Sequence, residues 1–211
     1  MAITNKRSVI SLYSNAGDSD SHKVRIVLHE KGVTFDDINI TSSPKAREEI
    51  AEYNPYGTVL TLMDRDLVLF KSGIIIAEYI DERFPHPPLY PVYPVLKARS
   101  RLMIYRIDHD WYSLMDQILN SETQEIKKEK LRQDLLDSLL SVTPIFAENP
   151  YFLSEEFSLI DCWIAPLLWR LPRMGIKLPE TSKAIINYKT KIFARPSFQA
   201  SLTDVERAMR V

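Results

Sequence analysis

Cysteine is almost missing from this sequence: Cys162 is the only one in 211 residues. A single thiol excludes an intramolecular disulfide framework and favours a reducing compartment. No apolar run approaches the roughly 20 residues that a membrane helix needs, and the N-terminus lacks the apolar core of a signal peptide. The expectation is a cytoplasmic protein with no membrane contact. Neither sign of charge is in excess, with 27 basic against 28 acidic side chains and a net charge of −1. That balance leaves no electrostatic footprint for non-specific nucleic-acid or membrane binding, so any link to DNA would run through a protein partner. The four histidines lack metal-ligand spacing, there is no internal repeat, and no cofactor or metal is expected.

What is present suits one large domain or two small ones, since 45% of residues are hydrophobic. The first third alternates strand and helix signals. Residues 9–13 form a β-rich run, and a polar turn follows over 14–21. Val24, Val27 and Leu28 recur at helical spacing until Gly32 stops the helix. Residues 35–40 read as a second strand, and Ser43-Pro44 caps a short helix through Glu52. Residues 59–63 and 67–70 flank Asp64-Arg65-Asp66 as an antiparallel hairpin, and Ser72 reads as the cap of a third helix. The order is β-α-β-α-β-β-α.

Pro85, Pro87, Pro88 and Pro91 fall within seven residues, and Pro94 follows. Such a segment is stiff and extended and marks a domain boundary. Beyond it the pattern is helical, over about 95–119, 123–142, 159–171, 182–193, 196–201 and 203–210. Ser158 and Asp161 read as a capping box whose loss costs about 1 kcal/mol. Thr203 and Glu206 read as another. Asp108, His109 and Asp110 are consecutive on a helix and do not converge on a metal. Trp111 and Tyr112 read as packing residues, and Cys162 as a buried inert thiol. The fold class is therefore an α/β domain joined to an all-α domain: residues 1–87, a linker over 88–97, and 98–211.

Three local patterns make this architecture resemble the glutathione transferases. They are His22 through Leu28 with Glu30-Lys31-Gly32, then Asn54-Pro55-Tyr56-Gly57-Thr58-Val59, then Ser158-Leu159-Ile160-Asp161. The first domain would then be thioredoxin-like. A closer resemblance is carried by Asp81-Glu82-Arg83-Phe84-Pro85-His86-Pro87-Pro88 and by Pro91-Val92-Tyr93-Pro94. Arg106-Ile107 with Asp110-Trp111-Tyr112, Tyr151-Phe152-Leu153-Ser154, and the stretches 165–172 and 197–203 continue it in order. These segments are similar to the stringent starvation protein A family of bacteria. The resemblance implies a dimeric transcription regulator of the starvation or stress response, without transferase activity, that binds RNA polymerase with its sigma factor. It leaves open a homodimer or a heterodimer with a chain of similar fold.

Three positions test for surviving glutathione chemistry. Alignment with the transferase motif puts Asp18 at the usual serine, where a carboxylate repels a thiolate. Ser14 and Ser19 lie close by, so an active transferase using either is the alternative, although both also read as turn or cap serines. The pair that ordinarily grips the γ-glutamyl group reads Lys71-Ser72, and a lysine cannot accept from an ammonium. A small anion at Lys71 and the helix start is a third reading. Leu60 stands where the family has a cis-proline; a cis bond there costs about 2.5–4 kcal/mol, so a trans bond is expected. By composition alone the 85–94 segment is a spacer in which His86 and Tyr93 pack locally. The resemblance instead makes Pro85, His86, Pro87 and Tyr93 the contact with polymerase. Physically, prolines then present an imidazole and a phenol at low ordering cost.

Overall fold

The computed structural model describes residues 9–210, which fall into two compact units: 9–87 with 200–207, and 88–199 with 208–210. The first unit contains β1 (Ile10–Ser14), α1 (Ser19–Glu30), β2 (Phe35–Asn39), α2 (Pro44–Ala51), β3 (Thr61–Asp64), β4 (Leu67–Phe70) and α3 (Gly73–Arg83). The expected β-α-β-α-β-β-α order is the order found. The sheet runs β2-β1-β3-β4. The β1–β2 pair is parallel, which the α1 crossover makes possible, and the other two pairs are antiparallel. Central β1 is buried along its whole length.

Local chemistry explains the boundaries. Gly32 takes φ 62° after α1, and Val33 and Gly32 donate to the Leu28 and His29 carbonyls, the doubly bonded left-handed stop that favours glycine. Ser43 caps α2 by accepting from the Ala46 amide, with Pro44 in the first turn. Asp64 pairs with Leu67, leaving a two-residue turn in which Arg65 takes φ 59°.

The second unit is helical. It holds α4 (Pro94–Arg106), α5 (Ser113–Leu119), α6 (Glu125–Ser141), α7 (Thr143–Glu148), α8 (Leu159–Arg170) and α9 (Lys183–Phe193). Because α4 begins at Pro94, the last part of the expected 88–97 linker is already helix. The unbroken helix expected over 95–119 is instead two helices joined by a π turn, Ile107–Tyr112. The extra residue per turn lets three side chains reach inward partners. Asp108 accepts from the Trp163 indole at 3.2 Å, Trp111 donates to Ser138 at 2.9 Å, and Tyr112 donates to the Trp163 carbonyl at 2.8 Å. Helix α7, absent from the sequence reading, opens on Pro144 just after α6 stops. Eleven of the twelve residues of α8 are buried, Cys162 among them, which makes α8 the core helix of this unit.

The chain ends with α10 (Pro196–Ser201) and α11 (Asp204–Ala208). Residues 200–207 cluster with the first unit, not with the helical domain in which the sequence reading placed them. A buried polar cluster is the reason. Glu206 accepts from Arg25 at 2.8 Å and lies 3.2 Å from His22, and all three side chains are 2% exposed or less. Arg25 also donates to the Ser201 carbonyl, His22 meets the Ser201 hydroxyl, and Thr203 donates to the Ala16 carbonyl. Thr203 and Glu206 exchange the two bonds of a capping box, as the sequence predicts. Among the described residues no helix is long and apolar enough to cross a membrane.

Candidate functional site

At the start of α1, Asp18 is the N-cap. Its Oδ2 accepts from both the Ser21 amide and the Ser21 hydroxyl at 2.7 Å. The carboxylate stands where an acidic group relieves the open amides and the positive end of the helix. Ser14 is the last residue of β1 and is buried, not part of a turn. Its hydroxyl donates to Asp37 at 2.6 Å and accepts from Arg25 at 3.3 Å, so its single donor is committed inside the fold. Ser19 is the first residue of α1 and is half-buried.

Leu60, Lys71 and Ser72, the other positions compared with the transferase motif, sit where β3, β4 and α3 meet. Leu60 is buried and joined to Val59 by a trans peptide. Its carbonyl accepts from the Lys71 amide. Lys71 is exposed, takes φ 71°, and places its ammonium 4.5 Å from the centre of the Tyr56 ring. Ser72 occupies the N-cap position of α3 but makes no side-chain cap hydrogen bond, which corrects the expected capping role. At this corner the Ser72 amide donates to the Phe70 carbonyl across the left-handed turn at Lys71, a backbone bond that makes the turn into α3 in place of a side-chain cap.

Pro85, His86 and Pro87 are all exposed, with His86–Pro87 the cis peptide among the described residues. Tyr93 is 73% exposed and precedes α4 as its N-cap residue. The intervening Leu89 and Tyr90 are buried. The segment is held on each unit by a separate bond. In the first, buried Lys31 donates to the Pro87 carbonyl and pairs with Asp81 at 2.6 Å. In the second, the Leu159 amide donates to the Leu89 carbonyl at 2.9 Å. Sequence reasoning assigned Lys31 only to the end of a helix. A lysine placed directly before the glycine stop carries no signal that its ammonium is buried.

Asp161 does more than cap α8. Its Oδ2 accepts from the Ser158 amide at 2.8 Å, which completes the predicted capping box. Its Oδ1 accepts from the Phe152 amide at 3.0 Å and from the Tyr188 hydroxyl at 2.6 Å. Burial raises the Asp161 pKa above the ordinary aspartate value, against the lowering effect of these bonds. Burial and then the neighbouring carboxylate push the Tyr188 phenol well above its ordinary value.

Residues 8–82 match the glutathione S-transferase N-terminal domain and residues 102–196 the glutathione S-transferase C-terminal domain. A glutathione S-transferase of the Antarctic clam Laternula elliptica superposes with a TM-score of 0.80 at 22% identity, over 95% of this chain and 94% of that one. A glutathione transferase of Methylococcus capsulatus gives 0.80 at 23% identity, over 96% and 99%. These likenesses establish the fold. The chain is 51% identical to a stringent starvation protein A homolog of Haemophilus ducreyi, over 94% of this chain and 92% of that protein. It is 48% identical to the homolog of Coxiella burnetii over 97% of both. The chain belongs to the stringent starvation protein A family.

Proposed function

We propose that this protein is a non-enzymatic transcription regulator that docks on RNA polymerase carrying its sigma factor, in response to starvation or stress. The observation that carries the reading is the exposed segment with Pro85, His86, Pro87 and Tyr93, held by Lys31 at one end and the Leu159 amide at the other. A short stretch fixed by prolines and backbone hydrogen bonds displays an imidazole and a phenol without a large ordering cost. The absence of transferase activity is supported by the carboxylate of Asp18 at the helix start, the lysine at 71 and the internally committed Ser14 hydroxyl. The decisive experiment is co-elution with sigma-bearing RNA polymerase on a sizing column. The wild type is expected to co-elute, and His86→Ala/Tyr93→Ala, folded by circular dichroism, is expected to elute alone. Retained association of the folded double variant overturns the assignment of these residues. Turnover of a general electrophile with glutathione overturns the non-enzymatic reading.

The working form is a homodimer built on α4. This 13-residue helix buries only Ile104, while Val95, Leu102 and Tyr105 are 61–65% exposed. They fall on one stripe, and His109 extends it with its ring 5.8 Å from that of Tyr105. Exposed Arg99 and Arg101 flank the early part of the stripe and exposed Asp110 its end, so two copies crossing antiparallel about a two-fold axis match opposite charges. Leu102→Glu/Tyr105→Glu is expected to sediment as a monomer at micromolar concentration, where the wild type sediments as a dimer. A monomeric wild type overturns the dimer.

A further inference from the structure

The second unit carries a groove of about 550 Å³ between the 88–92 stretch, α4 and the 152–158 loop that leads into α8. Its floor is apolar and buried: Leu89, Phe152, Phe157 and Ile160 are each 8% exposed or less. Its rim includes apolar side chains open to water, Val92 at 85% and Leu153 at 45% exposure. Leu153 is unusual in a second way. It takes φ 58°, in the left-handed region where a side chain with a Cβ is crowded. The Tyr151 and Ser154 backbones bond to each other in both directions and so fix Leu153 there. A backbone held in a costly conformation that presents a leucine to solvent is not favoured by folding itself, and it points to use of that leucine.

Charge distribution narrows the occupant. Glu155 and Glu156, both exposed, follow Leu153 along the same wall of the groove, while α4 contributes a single cation, Arg99, so the acidic pair prevails. An apolar pocket with an acidic pair at its edge complements a large apolar side chain with a cation beside it. The 88–92 stretch also lines the groove and continues directly into Tyr93. We infer that this groove is a second docking point for the same polymerase assembly. It seats one large aliphatic or aromatic side chain of a partner protein segment, whose neighbouring lysine or arginine pairs with Glu155 and Glu156. The inference rests on the adaptor reading given above, which supplies the partner.

The test is equilibrium binding of sigma-bearing RNA polymerase to the immobilised full-length protein at low and high salt. Leu153→Gly is expected to unfold at the same or a higher temperature, because glycine relieves the left-handed crowding, yet to bind about tenfold more weakly. Glu155→Lys/Glu156→Lys is expected to bind several-fold more weakly at low salt, with the deficit shrinking as salt rises. If both variants bind as the wild type does while His86→Ala/Tyr93→Ala does not, the groove assignment is overturned and the adaptor reading stands. If the wild type itself fails to bind, both are overturned.

Discussion

Asp161→Ala is expected to remove about 3–5 kcal/mol of folding stability. The carboxylate is fully buried and accepts from the Phe152 amide, the Ser158 amide and the Tyr188 hydroxyl. Truncation strands these donors away from water, and each unsatisfied group costs about 1–3 kcal/mol. Relief from burying a charge offsets part of that sum, which keeps the net near the lower end of a simple addition. A surface cap lost in the same way costs about 1 kcal/mol. All three tryptophans, Trp111, Trp163 and Trp169, lie in the second unit, so tryptophan fluorescence follows its unfolding selectively. A midpoint lowered by roughly 10–20 °C is the expected reading. Tyr188→Phe should cost about 1.5–3 kcal/mol alone but almost nothing added to Asp161→Ala, because its partner is then gone. Additive losses in that double-mutant cycle, or a drop below about 1 kcal/mol for Asp161→Ala, would reduce Asp161 to an ordinary cap.

The two capping boxes show what kind of information a sequence carries well. Ser158 with Asp161, and Thr203 with Glu206, are contacts three residues apart, so the pattern that announces them also makes them. The glycine stop at Gly32 and the hairpin turn at Arg65 are legible for the same reason: each is decided by the φ of one residue. The exposed segment was also readable, since prolines spaced so closely exclude helix wherever they fall. What stayed hidden depends on residues distant in the chain. Asp161 was read as a cap, but its bond to Tyr188 spans 27 positions. Lys31 reaches Pro87 across 56, and Arg25 reaches Glu206 across 181. The π turn was illegible because the 3.6-residue pattern of 95–119 is broken only by the need of Asp108, Trp111 and Tyr112 to find partners on other helices. Asp18 was matched to a catalytic position, and that comparison obscured the simpler fact that an aspartate before a helix is a cap.

Those distant contacts set the second large effect. Glu206→Ala takes the nearest carboxylate from Arg25, 2% exposed, and from His22, fully buried, leaving Arg25 only the partly exposed Asp37 carboxylate at 3.8 Å. Breaking one side of a buried ion pair typically costs about 3–5 kcal/mol, because the remaining charge stays away from water. The Thr203 amide also loses its acceptor. Arg25→Met/Glu206→Leu removes both charges and fills similar volume, so it should cost clearly less than Glu206→Ala alone. Hydrogen exchange is the suitable measurement, since this unit has no tryptophan. Amides of α1 and of 200–207 are expected to lose protection together, with the second unit unchanged. Protection lost in 200–207 alone would mean that α1 does not depend on the returning segment. The consequence for docking follows from α1 itself. His22 and Arg25 sit within α1, and Lys31, which holds the Pro87 carbonyl, follows its last residue. Loosening the helix should therefore loosen Pro85, His86 and Pro87 and weaken polymerase association, although Glu206 is itself buried and distant in sequence from every proposed contact. The double replacement that restores folding should restore association with it.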